Sequence, residues 1–198
     1  MPDLAALRKV VAQRITTPFL SALSRSRLKP NTLTWLGLVV SLAAACTIAT
    51  DHLIVAGILV LLSGLCDILD GALARATNQS TRFGAILDST FDRVADAVLL
   101  LGVAYLYLKS GNELNTVLAF LALMGSFLTS YVRARAEGLG IACPVGLFTR
   151  AERVIILALG LFLDQLFVAL VVLAILAFFT AGQRLVYVWQ KTKGSGGP

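Results

Sequence analysis

The sequence predicts an all-α integral membrane protein: six transmembrane helices preceded by an amphipathic helix on the membrane surface. Three observations predict it. Apolar residues make up 58% of the chain and charged ones 14%, with a mean hydropathy of +0.84, well outside the soluble globular class. The apolar residues gather into six runs, at 33–50, 53–66, 94–108, 116–132, 154–163 and 166–182. Each run with its flanks approaches the roughly 20 residues that cross about 30 Å of hydrocarbon. Basic residues, finally, alternate with the runs in the way that cytoplasmic and outer loops do.

Taken in order, residues 1–29 mix Leu, Val and Phe with Arg and Lys, which predicts a helix lying on the inner surface and no cleavable signal. Asn31, after Pro30, is placed to cap the first span, and Gly111 with Asn112 makes the third turn. Thr149 and Glu152 have the spacing of a capping box opening the fifth helix. Of the 17 basic residues, Arg8, Lys9, Arg14, Arg25, Arg27 and Lys29 precede the first span. Arg75, Arg82 and Arg93 flank the second connection, Arg133, Arg135, Arg150 and Arg153 the fourth, and Arg184, Lys191 and Lys193 the end. Only Lys109 falls on the other side. Six spans with both termini in the cytoplasm satisfy every loop, and predict a multi-pass protein of the cell (plasma or inner) membrane. The net charge of +6 is thereby assigned to topology, with no nucleic-acid partner. Cys46, Cys66 and Cys143 are odd in number and mostly in apolar settings, which predicts free thiols. No repeat or composition shift divides residues 1–193, read as one membrane domain; residues 194–198 read as a flexible tail.

The chemistry concentrates between Asp67 and Asp92, which read D-x-x-D-G-x-x-A-R-x8-G-x3-D-x3-D. Asp67 and Asp70 are three apart, Asp88 and Asp92 four apart, so on two neighbouring helices each pair projects from one face and the pairs can converge. Fourteen helical residues from Leu53 descend about 21 Å, so the carboxylates lie within the membrane at its cytoplasmic end. Such charges are costly there without a compensating cation. Two divalent ions bridged by shared carboxylates relieve that cost and form the arrangement that clamps a pyrophosphate. Gly71 and Gly84 allow a close approach to the backbone, and Arg75 can meet leftover phosphate charge. The competing structural reading pairs the aspartates with Arg75, Arg82 and Arg93, but requires neither the matched spacing nor both glycines. A cation transporter would need charges recurring through the membrane depth, whereas the first, fourth and sixth apolar runs hold none. Intramembrane prenyltransferases also use Asp-rich helices, but with motifs far apart along a longer chain.

Residues Asp67 to Asp92 resemble, spacers included, the signature of the CDP-alcohol phosphotransferase family. The resemblance implies an integral membrane enzyme, usually a six-helix homodimer, that joins a CDP-linked lipid or alcohol to a hydroxyl acceptor and releases CMP. It implies two Mg²⁺ ions, or Mn²⁺: one held by Asp67, Asp70 and Asp88, a second by Asp67, Asp88 and Asp92. Asp92 is also implied as the base that takes the hydroxyl proton. Gly71, Ala74, Arg75 and Thr81 would line the CDP-lipid site, joined by Asn31 and Thr34; helix capping is the plainer reading of those last two.

A second basic cluster bears on the acceptor. Residues 130–137, Ser-Tyr-Val-Arg-Ala-Arg-Ala-Glu, end the fourth run, and Thr149-Arg150-Ala151-Glu152-Arg153 opens the fifth. Arginines in a first helical turn oppose the dipole, which suggests an anion bound between them, although the positive-inside tendency alone places arginines at cytoplasmic ends. The segment is similar to that of the branch acting on inositol phosphate, which makes phosphatidylinositol phosphate. That similarity implies Ser130, Arg133, Arg135, Arg153 and Arg184 as acceptor-binding residues. Where Arg133 and Ala151 stand, members of that branch often carry lysine and proline. Glycerol 3-phosphate, giving phosphatidylglycerol phosphate, is the alternative acceptor.

Overall fold

A computed structural model describes Arg14 and residues 30–77, 79 and 81–194. Apart from Arg14, the expected surface helix lies outside the described residues, as do residues 195–198. Six helices follow in order: α1 (Pro30–Ala49), α2 (Leu53–Ala76), α3 (Arg82–Lys109), α4 (Glu113–Gly138), α5 (Arg150–Phe162) and α6 (Leu166–Gly194), with no strand among the described residues. Proline suits the first helical position because its missing N–H has no partner there in any case. Asn31 therefore lies inside the first turn of α1 and does not cap it.

Three tight turns sit at one end of the bundle. Asp51 (φ 62°) joins α1 to α2, Gly111 (φ 72°) joins α3 to α4, and Asp164 (φ 53°) joins α5 to α6. Aspartate and glycine tolerate this left-handed backbone better than most residues. As expected, Asn112 follows with its side chain accepting the Asn115 N–H at 3.1 Å. The opposite end carries the 77–81 connection, the longer 139–149 connection and ten of the described basic residues, Lys109 being at the turn end.

Four helices, α1, α2, α4 and α6, are long and apolar enough to cross a membrane. α3 is 28 residues long but carries Asp88, Asp92, Arg93 and Asp96 between its start and its midpoint turn. α5 has 13 residues, about 20 Å, less than a bilayer-spanning helix needs, and the chain turns at Asp164 immediately after it. Large apolar side chains such as Leu36, Val39, Ile58, Phe120, Ile175 and Phe179 point outward, the pattern that lipid and not water accommodates. This is a multi-pass membrane protein.

α1 packs against both α2 and α3, α3 against α4, α2 against α5, and α6 against α4 and α5. Small residues make these approaches possible. Between α1 and α2 the Ser41 and Ser63 hydroxyls lie 2.5 Å apart, and both donate to the Gly37 carbonyl. α2 and α3 are not a main packing pair; each is braced by α1, and a gap is left between the C-terminal half of α2 and the N-terminal half of α3. Cys46, Cys66 and Cys143 are free thiols.

Candidate metal and nucleotide site

That gap is where the carboxylates meet. Asp67 and Asp70, one turn apart on α2, and Asp88 on α3 each offer an oxygen, all within 4.8 Å of one another. Asp70 is only 3% exposed. Its Oδ2 and the Oδ1 of Asp88 are buried without a hydrogen-bond partner. Three hard oxygen donors converging with orphaned lone pairs fit a divalent cation of the Mg²⁺ or Mn²⁺ kind.

Beside this cluster lies a cavity of about 180 Å³ bordered by Asp70 and Asp88. Asn31, Thr34, Gly71, Ala74, Arg75 and Thr81 all line it, together with Gln79 and Gly84. Thr81 is the N-cap of α3, its hydroxyl accepting the Gly84 N–H at 2.9 Å, so the positive end of the α3 dipole opens into the cavity. A side chain at position 84 would come within 2.9 Å of that hydroxyl and 3.5 Å of the Asn31 Oδ1. The Arg75 guanidinium folds back over Gly71, where an added methyl would meet Nη1 at 3.3 Å. Trp35 and Phe91, edge to face at 4.6 Å, fix α1 against α3.

Asp92, one turn beyond Asp88, is outside the three-carboxylate cluster. It faces Arg150, whose Nη1 lies 2.5 Å from Asp67 Oδ2 and 2.9 Å from Asp92 Oδ1. Arg150 Nε lies 3.5 Å from Asp96 Oδ1. Neither nitrogen makes a hydrogen bond: the charges pair, but the N–H groups are poorly aimed. Asp96 instead accepts from Arg153 Nη2 at 2.8 Å and Nε at 3.2 Å.

A second cavity, of about 220 Å³, opens where α3, α4, α5 and α6 converge, bordered by Asp92, Asp96, Ser130, Arg133, Arg150, Arg153 and Arg184. The anticipated capping box holds α5 beneath it. Glu152 accepts the Thr149 N–H at 2.8 Å and also the Thr149 hydroxyl. Arg184, 6% exposed, donates to the carbonyls of Val145 (2.9 Å) and Thr129 (2.5 Å), tying the 139–149 connection to α4 and α6. Gly146 (φ 152°) is required there, since a side chain would collide with the guanidinium. Arg133 is exposed and paired with Glu137 at 2.8 Å. Arg135 does not join this group. It is exposed and does not border the cavity, being about 200° round the helix from Arg133.

Residues 27–182 match the family model of CDP-alcohol phosphatidyltransferase. The chain belongs to this family. As a CDP-alcohol phosphatidyltransferase family member it is 41% identical, over 175 residues, to the archaetidylinositol phosphate synthase of Methanothermobacter thermautotrophicus, covering 85% of this chain and 87% of that protein. It is 40% identical to the phosphatidylinositol phosphate synthase of Mycobacteroides abscessus, covering 87% and 82%. Crystal structures of the phosphatidylinositol phosphate synthase of Mycobacterium tuberculosis share the fold. The structure with CDP-DAG bound gives a TM-score of 0.79 at 34% identity, over 89% of this chain and 94% of that one. The structure with manganese and citrate gives 0.79 at 33%, over 88% of each.

The residue that sequence reasoning noticed but gave no site role in this CDP-alcohol phosphatidyltransferase family member is Arg150. Its signal was present, since it heads a helix whose dipole disfavours a cation. Asp67, Asp92 and Asp96 face that charge.

Proposed function

We propose that this chain is a phosphatidyltransferase that moves the lipid-phosphate group of a CDP-lipid, such as CDP-diacylglycerol, to inositol phosphate and releases CMP. The observation that carries the proposal is the meeting of two cavities at the aspartates: one bordered by all six residues of the nucleotide set, the other by Asp92 with Ser130, Arg133, Arg153 and Arg184. Similarity to synthases of archaetidylinositol and phosphatidylinositol phosphates supports it.

Asp67, Asp70 and Asp88 would hold one Mg²⁺, and Asp67, Asp88 and Asp92 a second. Bound there, the ions would neutralise the pyrophosphate and stabilise the departing CMP oxygen. The chain's residues do the rest. The α3 N-terminus and Arg75 face the nucleotide phosphates, Asn31 and Thr34 border its other side, and Gly71, Ala74 and Gly84 keep the floor low. In the second cavity Ser130, Arg133 and Arg153 present donors to an acceptor phosphate, with Arg184 holding the wall. Asp92 stands between the cavities, where it takes the proton of the attacking hydroxyl.

All six helices would cross the membrane, α5 completed by the 139–149 segment, with the site toward the cytoplasm, the side on which the arginines gather. The working unit would be a homodimer. Release of CMP from CDP-diacylglycerol, compared with inositol phosphate and with glycerol 3-phosphate as acceptors, tests the proposal. Preference for glycerol 3-phosphate would replace the acceptor, and turnover unaffected by chelation would overturn the metal-dependent chemistry.

A further inference from the structure

Arg150 is the feature that the proposed reaction leaves unexplained. Its Nη1 rests on Asp67 and Asp92, two carboxylates the reaction needs for metal and for the hydroxyl proton. Its Nε and Nη1 are buried without hydrogen bonds, so the contact rests on charge more than on directed bonding. The same side chain borders both the acceptor cavity and a small cavity with Thr34, Asp67, Asp70 and Asp92.

We infer that Arg150 is a built-in counter-cation that holds Asp67 and Asp92 when the second divalent ion is absent, and exchanges with that ion when it binds. The inference rests on the metal-dependent reading above. A guanidinium and a divalent ion compete for the same carboxylate oxygens and repel each other, so metal at Asp92 requires Arg150 to leave. Asp96, 3.5 Å from Nε, offers a pivot on the side away from the cluster. A guanidinium released from Asp67 and Asp92 while held near Asp96 turns its Nη groups toward Ser130 and Arg153, where an anion would accept from them. Metal binding would thus free the base and complete the acceptor pocket in one movement, and an acceptor phosphate would favour the metal-loaded state in return.

The test is Mn²⁺ binding to the purified full chain, followed by the electron paramagnetic resonance of free Mn²⁺, with Asp88→Asn, which removes a carboxylate assigned to both ions, marking which sites belong to the cluster. If Arg150 competes, Arg150→Gln tightens the weaker class of Mn²⁺ sites by about tenfold or more, the scale of one close like-charge interaction. Arg133→Gln, which removes a cation bordering the same cavity but bound to Glu137, should change it by less than about twofold. A second readout is inorganic phosphate binding: the gain in affinity that Mn²⁺ confers on wild type should shrink in Arg150→Gln. Should Arg150→Gln not fold, Arg150→Lys serves, with Mn²⁺ affinity expected between the two. Unchanged or weaker Mn²⁺ binding in the Arg150 variants, with Mn²⁺ binding still lost in Asp88→Asn, overturns the exchange and leaves the proposed function standing. Wild-type protein that binds no Mn²⁺ overturns both.

Discussion

Replacing Asp70 by Asn is expected to make the metal-free protein more stable while destroying its use of metal. Asp67, Asp70 and Asp88 present oxygens within 4.8 Å of one another. At an effective dielectric constant near 20, each ionised pair at that distance repels by about 3.5 kcal/mol. Asn at position 70 removes two of the three pairs, a gross relief of about 7 kcal/mol. The nearby Arg150 charge, 2.5 Å from Asp67, and residual solvation already offset most of this, so a net gain of about 2 kcal/mol remains. The substituted amide also donates to Asp67 or Asp88, whereas the native Oδ2 has no partner. For a chain of this size the gain corresponds to a rise in Tm of about 4–8 °C. Saturating Mn²⁺ at 100 times Kd should add about 2.7 kcal/mol to wild type and little to the variant. Thermal denaturation in detergent, with chelator and then with Mn²⁺, would therefore reverse the order of the two proteins, and CMP release by the variant should vanish. A variant less stable than wild type in chelator, yet equally stabilised by Mn²⁺, would refute the view that these carboxylates are held together at a cost that metal repays.

Three further outcomes follow from particular contacts. Asp92→Asn should abolish CMP release with Tm nearly unchanged, because Arg150 keeps Asp67 and Asp96; retained turnover would move the base elsewhere. In Gly102→Ala the new methyl would stand 2.8 Å from the Ala45 carbonyl oxygen and 3.1 Å from its Cα; backbone cannot rotate away, so α1 and α3 must part, lowering stability by about 1–3 kcal/mol in a denaturation measurement. Glu152→Ala removes the acceptor of the Thr149 N–H, which should cost about 1 kcal/mol, or about 2–4 °C in Tm.

How far the molecule was legible in its sequence depends on whether a feature is set by helical period or by tertiary contact. The period alone put Asp67 beside Asp70, and the short 77–81 link brought Asp88 to meet them; Thr149 and Glu152 made their local contact as spaced. Arg135 was misleading for a reason that the same period contains: grouped with Arg133 by composition, it turns away from the cavity. Asn31 looked like a cap until Pro30 took the first helical position. Arg150 was harder. Its partners come from α2 and α3, 54 to 83 residues back in the chain, and no local spacing announces a pairing across three helices. The shortness of α5 is set by the turn at Asp164 on one side and the 139–149 connection on the other, and the flanks added to a ten-residue apolar run overstated its length.

The division of labour among the helices bears on the order of chemical events. α1, α2 and the start of α3 enclose the nucleotide cavity; α4, α5 and α6 close on α3 to form the acceptor cavity. In-line displacement at phosphorus needs the leaving and attacking oxygens on opposite sides. α3 is the one helix that lends side chains to both cavities, Asp88 to the first and Asp92 to the second, one turn apart. The register of α3 therefore sets the separation of leaving group and nucleophile, and Arg150, seated at its second acidic turn, is placed to keep that turn closed until a divalent ion replaces it. On the proposed reading a phosphorylated acceptor would be selected twice: once by the arginines bordering its cavity, and again because binding it would draw Arg150 away from Asp92.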